Sequence, residues 1–514
     1  MRYVLLICII LQVNCFGQDS SGINTDTLNP VLTMLPNKQL HGFISVNGIA
    51  TSHNSVPFWM RSQQYGSIPL SGASASVSGM ILKNYHPAGQ KKLLDWGAAA
   101  EGRLNAGTKI DAILVQSYVK VRLGIFQLKA GRSRDLTGLV DSTLSSGAFA
   151  VSGNSLGIPK IEISIPEYWS IPFTKELFSI KGNLSHGWLG NYSLRTASQI
   201  PYAVDTIKAY YHQKSFYARL GKPAWKTKIY GGFNHQVMWG NEKKIFPQGY
   251  ELSNLETYKY VFLGKAYGNQ IVLTSKIGNQ LGTIDQAVEF NYNLNGHDII
   301  VTGYHQFFYD IGGLYHLTNI KDGLWGLSLK NNKTERYKKF FLKKILFEFF
   351  NSKSQGGEAD SKATPSGAED YYNNYLYYKG WSYKGQNIGN ALITSKNEIR
   401  EDLPQNATEY FSNNRVVAIH SGSIWTYGQW DIKALMTYSW NYGTYSTSPV
   451  AKSVGGKIVY NKPPYFYQVN QFSGLLETSR LLKNGYSLGV IIAIDRGYLI
   501  DNSLGGSINI SKTW

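Results

Sequence analysis

Cysteine is nearly missing from this chain of 514 residues: the two present, Cys8 and Cys15, both fall in the first stretch of the sequence. A disulfide scaffold, a thiolate metal site and a cysteine nucleophile are therefore excluded for the remainder. Charge is scarce as well, at 16% of residues against about 25% in ordinary soluble domains. Beyond Val4–Leu11 no apolar run approaches the roughly 20 residues a membrane helix needs, so a helical membrane protein is excluded. Catalytic motifs are missing too. There is no pair of histidines flanking a glutamate and no Cys/His cluster. The ten histidines are scattered, and His186 and His305 lie in strand-like runs without a partner at ligand spacing. No metal and no cofactor are expected. Glu101, Asp135, Glu162 and Glu348 are carboxylates of the kind a glycosidase would pair, but no motif joins them, and Arg103, Arg122, Arg132 and Arg134 are near enough in sequence to neutralise them. The expectation is a protein that is not an enzyme.

What the chain has in excess is glycine, tyrosine and tryptophan, with 52, 36 and 12 residues. Glycine and aromatics with few charges suit strands, and Tyr and Trp suit a boundary between water and lipid. The N-terminus reads MRYVLLICIILQVNCFGQ. Arg2, the apolar run and the small residues at Cys15 and Gly17 form a secretory signal over residues 1–17, with Gln18 as the mature start. Residues 18–39 form a short lead-in, and 40–514 form one domain without a linker.

Period-two alternation runs through that domain. In residues 431–442, Ile432, Ala434, Met436, Tyr438, Trp440 and Tyr442 oppose Asp431, Lys433, Leu435, Thr437, Ser439 and Asn441. In 486–495, Tyr486, Leu488, Val490, Ile492 and Ile494 share one face. In 113–123, Ile113, Val115, Val119, Val121 and Leu123 oppose Gln116, Tyr118, Lys120 and Arg122. Apolar faces tend to end in Tyr or Trp, and the opposite faces carry Ser, Asn, Gly and Lys. A water-filled lumen accepts those residues, whereas a second apolar layer would not. At about 25 residues per strand and loop, 16 to 18 strands fit.

The last twelve residues, SLGGSINISKTW, put Leu504, Ile508 and Ile510 on one side, and Ser507, Asn509 and Ser511 on the other. Trp514 then serves as an interface anchor. In hydrocarbon every backbone polar group must be bonded within the protein, so strands survive only in a closed barrel. The last strand must pair with the first to remove free edges. The fold class is all-β, a transmembrane antiparallel barrel with long extracellular loops. One stretch breaks the rhythm. Phe341, Leu342, Ile345, Leu346 and Phe349 recur at helical spacing, with Lys338, Lys339, Lys343 and Lys344 opposite; periodicity alone predicts an amphipathic helix. Residues 355–414 read as one or two long loops around short strands.

The net charge of +18 in an exported chain points to anionic lipid or acidic polysaccharide rather than nucleic acid. Sugar recognition needs aromatic faces and planar donors. Trp59, Arg61 and Gln64 cluster in SVPFWMRSQQYGSIP, Tyr168 and Trp169 lie in a constrained extended loop between prolines, and Tyr372 and Trp381 lie in the long loop. Trp59, Arg61, Gln64, Trp169, Tyr372 and Trp381 are the candidate carbohydrate ligands.

Several stretches together resemble the Wzi capsule-assembly family of outer-membrane proteins: VPFWMRSQQYGSIP, SGNSLGIPKIEISIPEYWSIP followed by FSIKGNLSHGWLGN, FEFFNSKSQGG, EDYYNNYLYYKGWSYKGQNIGNAL centred on Asp370, Tyr372, Asn374 and Gly380-Trp381, NNRVVAIHSG, YSWNYGTY and AIDRGYLIDNSLG. The resemblance covers about Gly42 to the C-terminus. It departs at Gly356, where the family pattern has Ser, and no segment between Gln18 and Pro57 could form the periplasmic helices that some relatives carry. The resemblance implies a monomeric barrel of about 18 strands, with residues 336–351 a strand rather than a helix. It implies a non-catalytic lectin or scaffold that binds capsular or exopolysaccharide and helps attach it at the surface of a Gram-negative-type bacterium. The implied partners are that polymer, outer-membrane lipid and the barrel-assembly machinery. Two other readings stay open: a channel for anionic or sugar substrates, and an outer-membrane enzyme acting on glycan or lipid.

Overall fold

The computed structural model describes residues 39–86, 92–195, 204–270, 272, 274–294, 297–310, 312–332, 339–359, 361, 368–454 and 457–514. The leader over 1–17 and the lead-in through residue 38 lie outside the described residues.

Eighteen strands form one sheet. The first nine are β1 (Leu40–Thr51), β2 (Ser74–Lys83), β3 (Leu94–Ala106), β4 (Ile110–Leu123), β5 (Phe126–Arg132), β6 (Lys160–Ser170), β7 (Phe178–Ser193), β8 (Thr206–Leu220) and β9 (Thr227–Trp239). The second nine are β10 (Asn279–Leu294), β11 (His297–Tyr309), β12 (Gly323–Asn331), β13 (Phe341–Asn351), β14 (Val416–Tyr427), β15 (Trp430–Asn441), β16 (Val469–Leu481), β17 (Tyr486–Gly497) and β18 (Ser503–Thr513). Each pairs antiparallel with its sequence neighbours, and β18 pairs with β1 through Val46↔Ile510 and Phe43↔Thr513. Trp514 N–H donates to Gly42 O and Gly42 N–H to Trp514 O, both at 3.1 Å, so the seam is bonded to the last residue. The ring of strands has no free edge. Among the described residues no helix is long and apolar enough to cross a membrane; the crossing elements are strands.

The outer face is apolar around the whole circumference. Ile508 and Ile510 on β18, Met436 on β15, Phe347 on β13, Val119 on β4 and Ile161 on β6 all stand exposed. A continuous exposed apolar belt of this kind needs hydrocarbon, not water, as its solvent. The two ends differ. One has tight turns, such as Gly428–Gln429 between β14 and β15, and both chain ends of the barrel. The other carries the connections 52–73, 133–159, 240–278, 352–415 and 442–468. Short turns on the periplasmic side and long loops outside are the arrangement of outer-membrane barrels. At the short-turn end Trp96, Phe126, Phe178, Tyr292, Tyr427, Trp430, Tyr486 and Trp514 stand exposed, as an aromatic girdle requires.

Two departures from the sequence reading have physical causes. In β4, Val119, Val121 and Leu123 do face outward, but Val115 is buried and Leu114 exposed instead. Consecutive Glu101 and Gly102 of β3 pair with Gln116 and Leu114, so Val115 is an extra, bulged residue of β4, and one extra residue exchanges the two faces. The stretch with helical spacing is strand β13 over Phe341–Asn351, with a bulge at Leu342/Lys344; residues 336–338 lie outside the described ones. Phe347 and Phe349 face out, while Leu346 and Phe350 are buried inward. Leu346 and Phe350 pack against apolar loop segments in the lumen, on the same inward side as Glu348, and with the bulge these two apolar inward residues mask the alternation and mimic a helical period.

Candidate functional site

An 18-stranded barrel is too wide for side chains of its wall to meet at the centre. Three long connections fill this one from the long-loop end. The first, 52–73, turns inward at Pro57 and forms the single helical turn α1 (Phe58–Arg61), all four residues of it buried. Phe58 N–H donates to Asp495 Oδ2 on β17 at 2.7 Å, and Trp59 Nε1 to Thr437 Oγ1 on β15 at 3.1 Å. Gly505 leaves room for Pro57 and Met60: a Cβ there would meet both within 2.8 Å. The second connection, 133–159, is anchored at both polar and apolar points. Leu139 N–H donates to Asp285 at 2.9 Å, and Ser145 Oγ and Ser146 N–H donate to Glu348 at 2.6 and 2.7 Å. Phe149 stacks on Phe308 with ring centres 4.2 Å apart.

The third connection, 352–415, closes over the other two. It contains the short ladders Ser382–Tyr383 with Gln386–Asn387 and Thr394–Ser395 with Phe411–Asn413, as expected of loops around short strands. Trp381 Nε1 donates to Ala150 O at 2.8 Å, Tyr372 hydroxyl donates to Phe149 O, and Asn390 N–H donates to the Tyr372 hydroxyl at 2.8 Å. The three loops and the wall thus form one apolar cluster with polar cross-links.

One group of lumen charges is matched locally. Lys160 reaches Asp135 at 3.1 Å and Glu162 at 3.2 Å, with Lys129 at 3.5 and 3.4 Å from the same two acids. Burial alone would raise the Asp135 carboxyl, but Lys160 and Lys129 outweigh it and hold it at about 2. Glu101 pairs with Arg134 and accepts from Gln116 at 2.9 Å. Glu348 is occupied by the second loop and by the Tyr304 hydroxyl at 2.5 Å. The space beside Asp135, Lys160 and Tyr65 is about 20 Å³, room for one water and not for a sugar ring. These carboxylates therefore act as plug anchors and charge partners. Among the described residues no three acidic, histidine or cysteine side chains converge as a metal site.

The six candidate sugar ligands separate accordingly. Trp59, Arg61, Tyr372 and Trp381 are buried within the plug, Arg61 in an ion pair with Glu398 at 2.7 Å, so in this conformation none of the four offers a face to a glycan. They were expected on outward-facing loops; the loops fold inward because the lumen must be filled. Trp169 is half-buried on β6, opposite Ile180 beyond a register shift that starts at Ile165. It belongs to a strand near the short-turn end, not to a loop. Gln64 is exposed on the first connection. Trp514 is half-exposed at the short-turn end, where an anchor is expected.

The rings that do stand in solvent at the long-loop end are others. Tyr315 (89% exposed), Tyr460 (76%), Tyr498 (69%) and Tyr467 (66%) lie in the connections 310–322, 442–468 and 498–502. None of the four is among the six candidate ligands. The NKPPYFYQ stretch, where Tyr465 and Tyr467 follow two prolines, was the available pointer, since prolines keep aromatics out of strands.

Closed antiparallel strands, an oily outer wall and long loops at one end define a transmembrane β-barrel of the outer-membrane type. No protein-family profile matches the sequence, and no curated protein matches it. Solved structures do. One is Wzi from Escherichia coli, described as an outer-membrane protein involved in group 1 capsule assembly and a carbohydrate-binding β-barrel; the match has 11% identity and a TM-score of 0.53, covering 93% of this chain and 86% of that one. OccK5 (OpdH) of Pseudomonas aeruginosa matches at 7% identity and TM-score 0.45, over 92% of this chain and 98% of that one. OccAB2 of Acinetobacter baumannii matches at 9% identity and TM-score 0.45, with the same coverage. At these identities the likeness is one of fold.

Proposed function

We propose that this protein is a non-catalytic surface binder of capsular or exopolysaccharide, acting as a monomer in the outer membrane. The observation that carries the reading is the plug: with the lumen filled by 52–73, 133–159 and 352–415, the surface left for a ligand is the outer loop layer. Tyr315, Tyr460, Tyr467 and Tyr498 supply stacking faces there, and the net charge of +18 favours a polymer bearing uronates or phosphates. One such surface holds a few sugar units weakly. Many copies along one long chain raise the retention by avidity.

The test pairs a glycan-binding screen on the purified full chain with a planar-bilayer recording. The expected result is retention of anionic polysaccharide without shortening of the polymer, no steady open pore, and at least about tenfold weaker retention in a Tyr460→Ala/Tyr467→Ala variant. In cells, deletion leaves polymer secreted but no longer attached. A steady open conductance without polymer retention refutes the reading in favour of a channel, and release of oligosaccharides refutes it in favour of an enzyme.

A further inference from the structure

The connection 240–278 does not enter the lumen. It folds back over the outer wall of β7–β9, carrying the turn α2 (Glu242–Ile245) and the helix α3 (Asn254–Leu263). Phe216 on β8 and Phe233 on β9 stand exposed on that wall. By alternation His212 and Lys214 of β8 and Val237 and Trp239 of β9 share their faces. These residues are covered by the flap: the rings of Tyr258 and Phe262 lie 5.6 and 5.5 Å from His212, and Lys214 donates to Phe262 O. Val237, Trp239, Tyr250, Val261 and Ile277 form a small core there, separate from the lumen cluster.

Between flap and wall, toward the long-loop end, lies a cavity of about 530 Å³, within the size range of small-ligand sites. Tyr210, Trp239 and Tyr250 supply aromatic faces, Glu242 lies in the wall of the cavity, and Lys243 and Lys244 line its exposed side. Trp239 is 8% exposed, yet its indole N–H has no acceptor among the described residues. A buried donor without a partner is rare in folded proteins, and here it borders empty space. Glu242 Oε1 accepts from Gly240 N–H at 2.8 Å, and burial raises its pKa above the ordinary value. Trp188, exposed on the outer face of β7, marks the same side of the wall as lipid-facing. The cavity therefore opens where hydrocarbon gives way to head groups. On the long-loop side of an outer membrane those head groups are phosphorylated glucosamine disaccharides.

We propose that this cavity binds the phosphorylated sugar head group of an outer-leaflet glycolipid, with the rings against the sugar, Lys243 and Lys244 on a phosphate, and the Trp239 N–H on a ligand oxygen. The inference rests on the outer-membrane location and is independent of polysaccharide binding by the outer loops. The test is native mass spectrometry and titration of the detergent-solubilised full chain with three probes: bis-phosphorylated lipid A, the same lipid dephosphorylated, and glucosamine phosphate. The expected result is retention of lipid A, with about tenfold weaker binding of the dephosphorylated lipid and of lipid A to Lys243→Gln/Lys244→Gln. Trp239→Phe keeps an aromatic face, though a smaller one, removes the N–H and weakens lipid A binding about fivefold. Unchanged thermal unfolding of each variant separates these losses from misfolding. Equal binding of both lipids, unaffected by the variants, overturns the proposal. Glucosamine phosphate bound as tightly as lipid A overturns the lipid source.

Discussion

Glu348→Ala is the sharpest probe of the plug. Glu348 sits on β13 and accepts three hydrogen bonds, two of them from the second connection: Ser145 Oγ at 2.6 Å and Ser146 N–H at 2.7 Å. Hydrogen bonds to an ionised acceptor contribute about 1.5–3 kcal/mol each, so losing the two weakens loop anchoring by about 3–6 kcal/mol. At about 1.4 kcal/mol per factor of ten, the population with the loop displaced rises at least about a hundredfold. The third donor, the Tyr304 hydroxyl, is left without its carboxylate at 2.5 Å, which adds to the cost on the wall side. Ala148 is fully buried in the same loop, and the only cysteines, Cys8 and Cys15, lie in the predicted leader. A single Ala148→Cys reporter therefore reads loop release through labelling by a membrane-impermeant maleimide, with bilayer conductance as the second measure. Glu348→Gln keeps the shape and one acceptor oxygen and falls between. Labelling and conductance of Glu348→Ala equal to those of the parent chain would refute the idea that this loop is a bonded plug.

Acidity is expected to tighten the third connection of the plug. Burial lifts the Asp322 carboxyl to about 7 against the Ser354 and Gln355 N–H groups, and burial lifts Glu409, beside Asp370, to about 7. Both pKa values lie above those of the unfolded chain, so the stabilisation is full below about 4 and is lost as pH rises through about 7. The urea midpoint should therefore be higher at pH 5 than at pH 8, and Asp322→Asn should shrink that difference. Lys228 and Glu289 form a buried lumen pair at 3.1 Å, so Lys228→Met should cost about 3–5 kcal/mol, read as a lowered urea midpoint of the lipid-refolded barrel. A Cβ on Gly42 would fall 2.5 Å from the Trp514 indole. Gly42→Ala should displace that ring at the closing seam and cost about 1–3 kcal/mol in the same assay.

Much of the wall was readable before any tertiary contact was known. On β15 Met436 and Tyr438 are exposed while Leu435, Thr437 and Ser439 are buried, and on β17 Tyr486 and Ile492 are exposed while Ser487, Ala493 and Asp495 are buried, because side-chain direction in a strand follows from position parity. The closing role of β18 was readable for the same reason, and Trp514 stands half-exposed at the short-turn end of the seam. The misreadings cluster where parity breaks, at the bulge at Val115 of β4 and at β13, where a bulge and the inward Leu346 and Phe350 mask the alternation. The site was far less legible. An aromatic in a Gly- and Asn-rich loop has the same local sequence whether it points into solvent, as Tyr460 does, or into the barrel, as Trp381 does.

The amino-acid sequence by itself determined a cysteine-poor, two-faced set of strands ending in a tryptophan, and with it a barrel rolled shut in lipid. Those properties are local, set by a two-residue period and by the demand that every backbone polar group be bonded in hydrocarbon. Only the tertiary structure decided that three loops turn inward and one folds over the outer wall. That choice depends on partners hundreds of positions apart, Trp59 with Thr437 and Ser145 with Glu348, whose meeting no local pattern encodes.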